Sequence, residues 1–126
     1  MLKTIPGVGR ILALTILYEV GDIQRFESVQ KFASYARLVK CKAESAGKVY
    51  GTQGNKIGNA HLKWAFSEAS VLFIRNSDKA KRYVEKLQKR MNKPKALSAL
   101  AHKLGRAVYF MLKDKRVFDE QRFLKG

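Results

Sequence analysis

One cysteine, Cys41, in a chain of 126 residues excludes an intrachain disulfide and a cysteine-rich zinc site, and fits a reducing cytoplasm. Long apolar runs are missing. The stretch Ile11 to Leu17 is too short to span a bilayer. The N-terminus has no small-residue cleavage site after a charged start, so no signal peptide is expected, and a membrane is not the favoured partner. Acidic residues are scarce, 10 against 26 Lys and Arg. Metal-dependent nuclease chemistry needs several carboxylates converging on the ions, yet Glu19 and Asp22 are the closest helical-spaced pair and Glu68 stands alone. They read as helix-end and turn residues. His61 and His102 have no carboxylate three or four residues on, which argues against metal ligation and against a Ser-His-Asp triad. No residue is assigned to a metal, and no cofactor is expected in this chain.

What is present is positive charge on a foldable chain. The formal net charge is +16 and the sequence pI about 10.2, with 46% hydrophobic residues, 7 Phe, 5 Tyr and 1 Trp. That much apolar material supports a real core, so the basicity is not that of a disordered tail. The partner class is a polyanion, with nucleic acid first, since neutralising phosphates releases counterions. An acidic membrane surface or an acidic protein answers the same charge.

Periodicity predicts one mainly α domain of four to five helices, with no alternation that would build a large sheet. Residues 1–21 hold Ile5-Pro6-Gly7-Val8-Gly9-Arg10 ahead of an apolar helix, Arg10 to Val20. This has the form of the second half of a helix-hairpin-helix, in which Gly7 and Gly9 allow a tight turn and backbone N–H groups near Arg10 can meet a phosphate. The same residues also read as a helix start punctuated by Pro and Gly. The hairpin's first helix is missing, which suggests a chain that begins inside a larger protein. A second helix is expected from Ser28, an N-cap, to Arg37. Asn59 caps a third, to Arg75, whose Leu62, Ala65, Phe66, Ala69, Leu72 and Phe73 share a face.

A helix from Lys79 to Met91 follows, with Tyr83, Val84, Leu87 and Met91 as its apolar stripe. It carries Lys79, Lys81, Arg82, Lys86, Lys89 and Arg90 against one acid, Glu85. Such a run is either a solvated surface or a phosphate-facing one. Pro94 suits the first turn of a last long helix, Lys95 to Lys113, whose core stripe is Leu97, Leu100, Ala101, Leu104, Val108, Met111 and Leu112. Residues 59–113 thus form the helical core, and 114–126 a charged tail with Phe118 and Phe123 as docking points.

Between the second and third helices lies a long Gly/Lys-rich loop, residues 38–58, with Val49-Tyr50 and Leu38-Val39 as short extended pieces. Loops of this length inside a compact domain are usually functional or disordered. Gly47, Gly51, Gly54 and Gly58 let backbone or ligand approach closely, and Lys42, Lys48 and Lys56 supply charge. Ala46-Gly47-Lys48 resembles part of a Walker A segment, but Val49 stands where Ser or Thr is required. Ser45 is the remaining chemical candidate. A serine becomes a nucleophile when its surroundings lower the cost of an alkoxide-like oxygen, as lysines can. A serine beside glycine is also a common turn residue.

The segments IPGVGRILALTIL, FASYARLV, ESAGK, GNAHLKWAFSEA and ALSALAHKLGRAVYFML, taken in order, resemble the C-terminal half of transposases of the bridge-RNA-guided insertion sequences, the IS110 and IS1111 group. The resemblance covers almost the whole chain. It implies a two-part prokaryotic enzyme, in which an N-terminal RuvC-like domain binds Mg2+ through an Asp-Glu-Asp-Asp set and the C-terminal domain supplies a serine for DNA cleavage and rejoining. The family's Ser-Gly-Gly-Lys or Ser-Ala-Gly-Lys segment matches Ser45 to Lys48, which makes Ser45 the expected nucleophile. Gly58, Asn59, Leu62 and Lys63 match a Gly-Asn-x-x-Leu-Arg/Lys segment, with Lys63 placed by charge to meet phosphate. DNA, a guide RNA, the RuvC-like domain and, in the intact enzyme, further copies are the implied partners. The RuvC-like domain is absent from this sequence, so the chain is not expected to be active alone. The competing expectation is a non-catalytic nucleic-acid-binding module, in which the hairpin half and the Lys79 to Lys95 segment do the work.

Overall fold

The computed structural model describes residues 2–39 and 58–125. Among them are six α-helices and no strand. α1 (Arg10–Val20) follows a 3-10 turn at Leu2–Thr4, and a second 3-10 turn, Ile23–Arg25, leads to α2 (Val29–Tyr35). α3 (Ala60–Asn76), α4 (Asp78–Leu87), α5 (Lys93–Asp114) and α6 (Glu120–Lys125) complete the domain. The mainly helical architecture expected from periodicity is what forms. The tail adds a short sixth helix that the sequence pattern had not predicted.

Side-chain caps set most of the helix starts. Ser28 accepts from the Lys31 N–H at 3.2 Å, Asn59 from Leu62 at 3.0 Å, Ser77 from Ala80 at 3.1 Å and Asn92 from Lys95 at 2.9 Å. Each satisfies one donor that the first helical turn leaves unpaired. Two helix ends are less regular. Arg37 and Lys115 take positive φ, 59° and 54°, and the next residue's N–H reaches back five residues, Leu38 to Ala33 O at 2.9 Å and Arg116 to Met111 O at 3.1 Å. This Schellman closure normally favours glycine, so it stops α2 at Tyr35, two residues before the expected Arg37. α4 likewise stops at Leu87 rather than Met91. Lys89 and Arg90 close tight turns onto Lys86 and Leu87, and Asn92 must be extended to cap α5.

The core lies where α3 and α5 cross, with α1 packed on α3 and α2 on α5. Phe32, Phe66, Phe73, Leu62, Leu100, Leu104 and Val108 are fully buried there. Two aromatic clusters pin the periphery. Phe32 meets Phe26, Phe66 and Tyr109 at centroid distances of 5.1, 6.2 and 5.6 Å. At the other end Phe73 takes the rings of Phe118 and Phe123, each at 5.7 Å, so the tail docks at the two positions expected of it. Glu120 also accepts a hydrogen bond from the Ser77 hydroxyl, tying α6 to the start of α4.

Two glycines are demanded by close approach. Gly7, at φ 90°, is the third residue of a turn closed by Val8 N–H to Ile5 O at 3.0 Å, with Pro6 before it, the arrangement of a type II turn. A Cβ there would lie 2.5 Å from the Leu72 carbonyl oxygen on α3. In α5, Gly105 leaves room for the Leu38 side chain, which would meet a Cβ at 2.2 Å.

Candidate nucleic-acid interface

The densest concentration of charge lies on α4. Leu87, Val84 and Ala80 bind the helix to the core, which turns its remaining sides to solvent. Lys79, Arg82, Lys86, Lys89 and Arg90 then line one side of an open groove of about 710 Å³, together with Tyr83 and Leu87 and with Leu124 from α6. Among the described residues the one ion pair is Arg116 with Asp114, at 3.4 Å on the surface. None of the groove cations forms an ion pair among those residues; Asp78 and Glu85 stand four residues from Arg82 and Lys89 along the chain, and five cations against these two acids leave a net positive field facing outward. Lys81 is exposed but is not part of the groove. Lys103 of α5 sits behind the groove wall, donating to the Tyr83 hydroxyl at 3.3 Å and standing 4.8 Å over the Tyr83 ring and 5.3 Å over Phe123. It ties α4, α5 and α6 together.

A second polar cluster joins three helix ends. The Asn59 side chain caps α3 through its oxygen, while its amide donates to Glu19 Oε1 at 2.7 Å and to the Tyr35 hydroxyl at 3.4 Å. Its backbone N–H meets Tyr35 O at 2.6 Å. Arg25 donates to Val20 O at 2.9 Å and to Glu19 O at 3.2 Å, closing the carboxyl end of α1. Its guanidinium also lies 4.6 Å from the Phe26 ring centre and 4.9 Å from that of Tyr35. Donation from Asn59, followed by the nearby Arg25, holds the Tyr35 phenol below its ordinary pKa. The cluster fixes residues 35 and 59 against each other, and so holds close together the described residues on either side of segment 40–57.

The remaining sequence expectations are distributed as follows. Ser45, Lys42, Lys48 and Lys56 lie outside the described residues. Gly9 is the N-cap of α1 with open space around it, and Arg10 beside it is exposed. Gly7 is packed on α3 rather than turned to solvent, and Asn59 is committed to its cap and to Glu19. Lys63 is exposed on the first turn of α3. Sequence reasoning missed Glu19 as Asn59's partner, Tyr35, and Leu124 as part of the groove's apolar lining. Glu19 and Asn59 are 40 residues apart, and no local pattern carries that pairing.

No group of three or more His, Cys, Asp or Glu that could hold a metal ion is found among the described residues. No described helix is long and apolar enough to cross a membrane.

A small helical domain with a one-sided cationic groove carries the electrostatic footprint common to polyanion-binding modules. Comparison with known proteins narrows this: the chain belongs to the Transposase IS116/IS110/IS902 family, whose model matches residues 1–85. It is 32% identical, over its whole length, to an uncharacterized 43.6 kDa protein of insertion element IS110 from Streptomyces coelicolor, covering 31% of that protein. It is 27% identical to the transposase for insertion sequence element IS1111A of Coxiella burnetii, with 87% of the chain and 31% of that protein aligned. The pilin gene-inverting protein of Moraxella bovis is also 27% identical, with 96% of the chain and 38% of that protein aligned. The chain thus spans about a third of the length of these relatives. No solved structure matches it.

Proposed function

We propose that this chain is the DNA-binding, serine-bearing part of a transposase, gripping phosphates through the α4 groove and presenting Ser45 to a scissile phosphodiester. The observation that carries the reading is the groove itself, five cations without an acidic partner among the described residues, in a member of a transposase family. The relatives named as a transposase and as a gene-inverting protein both act by rearranging DNA, which supports DNA as the polyanion.

In the proposed reaction the Ser45 oxygen bonds to phosphorus while the bond from phosphorus to one DNA sugar oxygen breaks, and the serine proton passes out to solvent or to the leaving oxygen. The phosphoester link survives as phosphoserine, so a hydroxyl from a second strand can displace the serine without an external energy source. Lys42, Lys48 and Lys56, close to Ser45 in sequence, supply positive charge for the pentacoordinate phosphorus. The Asn59, Glu19 and Tyr35 cluster holds the roots of the segment that carries them. A RuvC-like domain, a guide RNA and further copies belong to the complete enzyme under this reading. Ser45→Ala in a full-length transposase carrying this domain is expected to abolish both recombination and the covalent protein–DNA adduct while leaving DNA binding within twofold. Recombination and adduct at wild-type levels would refute the nucleophile.

A further inference from the structure

The α4 groove has two chemically distinct parts. Its rim is cationic, with Lys79, Arg82, Lys86, Lys89 and Arg90, whereas Leu87, Leu124 and the partly buried ring of Tyr83 give it an apolar floor. A double helix offers the outside world phosphates and sugars and keeps its base faces stacked within. It can lie across the rim, but it brings nothing apolar to the floor. An unpaired strand offers both at once, backbone phosphates on one side and free base faces on the other. Proteins that bind single strands combine a basic groove with an apolar or aromatic surface for the bases.

The size agrees with this. At about 710 Å³ the groove falls among clefts of roughly 300 to 1,000 Å³ that enclose small molecules, enough for an unstacked nucleotide or two and far too small to admit a duplex. Its walls are also held in place. Lys103 bridges α4 and α6 through Tyr83 and Phe123, and Glu120 with Ser77 joins the same two helices at the other end. The floor is therefore formed before a ligand arrives, which lowers the entropic cost of binding.

We infer that the groove between α4 and α6 is a binding site for an unpaired nucleic-acid strand, with phosphates on the Lys/Arg rim and a base against Tyr83, Leu87 and Leu124. This rests on the nucleic-acid reading of α4 and adds the class of strand. Either DNA or RNA satisfies the chemistry.

Fluorescence anisotropy of the whole chain tests it, using labelled oligothymidine of about 12 nucleotides, oligouridine of the same length, and a DNA hairpin with as many paired nucleotides. The unpaired strands are expected to bind about tenfold more tightly than the hairpin at equal salt. Leu124→Gln weakens the unpaired strands about fivefold or more and leaves the hairpin within twofold. Tyr83→Leu repeats the test on α4 should α6 detach, and melting curves identify that case. The comparison of oligothymidine with oligouridine tells which sugar the site prefers. Equal or tighter binding of the hairpin, or floor variants that weaken both forms alike, overturns the unpaired-strand assignment while the nucleic-acid reading stands. Binding to none of the three probes overturns both. Phosphatidylserine vesicles captured in a Leu124-dependent way, and in preference to the oligonucleotides, would assign the groove to lipid headgroups and also overturn it.

Discussion

Gly7→Ala and Gly9→Ala separate packing from phosphate contact in the Pro6-Gly7-Val8-Gly9 turn, because the two glycines sit in opposite surroundings. At Gly7 an alanine would have to hold φ 90°, which costs a residue with a Cβ about 1 to 2 kcal/mol. The new methyl would also stand 2.5 Å from the Leu72 oxygen and 2.6 Å from its carbonyl carbon. Those atoms belong to the backbone of α3, so the helix itself has to move, and forcing a core apart in this way costs about 1 to 3 kcal/mol more. The expected loss is about 3 to 4 kcal/mol, a large share of the roughly 5 to 15 kcal/mol that holds a domain together. The melting temperature should fall by about 10 °C or more. At Gly9, φ is −94° and nothing lies within 4 Å of a Cβ; Gly9→Ala loses only glycine's advantage as an N-cap, well under about 1 kcal/mol. Urea melts followed by helical circular dichroism read both values. Equal destabilisation by the two substitutions, or a Gly7→Ala cost below about 1 kcal/mol, would refute the argument from close approach.

Further predictions concern the polar cluster and the histidine. Asn59→Asp keeps the helix cap but sets a carboxylate against Glu19, so it should be less stable than wild type at pH 7 and regain stability as the pH falls toward about 4, where carboxylates protonate; thermal melts across that range check it. Asn59→Ala removes cap and amide together and should cost about 2 kcal/mol at all pH values in a urea melt. His102 on α5 has its pKa lowered, first by burial and then by Arg106. The unfolded chain then takes up that proton more readily than the folded one, so this contribution to stability is present above about pH 6.5 and is lost as the pH falls below it. His102→Gln should flatten the wild-type loss of stability between about pH 7 and 5, as read by melting temperature.

Much of the fold is legible in the sequence because its determinants are local. Ser28, Asn59 and Pro94 mark helix starts by chemistry that acts within one turn, and the apolar faces of α3 and α5 follow from spacing. The one-sided charge of α4 is likewise visible as a count of lysines and arginines. The groove is not, because Leu124, which completes its apolar floor, lies on a six-residue helix, too short to show a period, and what places that helix is the edge-to-face packing of Phe118 and Phe123 on Phe73. The helix ends at Arg37 and near Lys113 are legible to within two residues, but the left-handed turns at Arg37 and Lys115 that close them are not, since that conformation is usually left to glycine. The role of Gly7 in packing depends on Leu72, a contact that no reading of the turn alone reveals.

The central claim, that the α4 face grips nucleic-acid phosphates, is tested most directly by the salt dependence of DNA binding by the whole chain. If all five groove cations meet phosphates of a duplex, the log–log slope of affinity against salt is about −4.5, roughly a 500-fold loss between 50 and 200 mM. Replacing Arg82, Lys86 and Arg90 with glutamine, a good helix former, should leave the melting temperature near its starting value and reduce the slope to about −2. An unchanged slope in the folded triple variant would contradict the account.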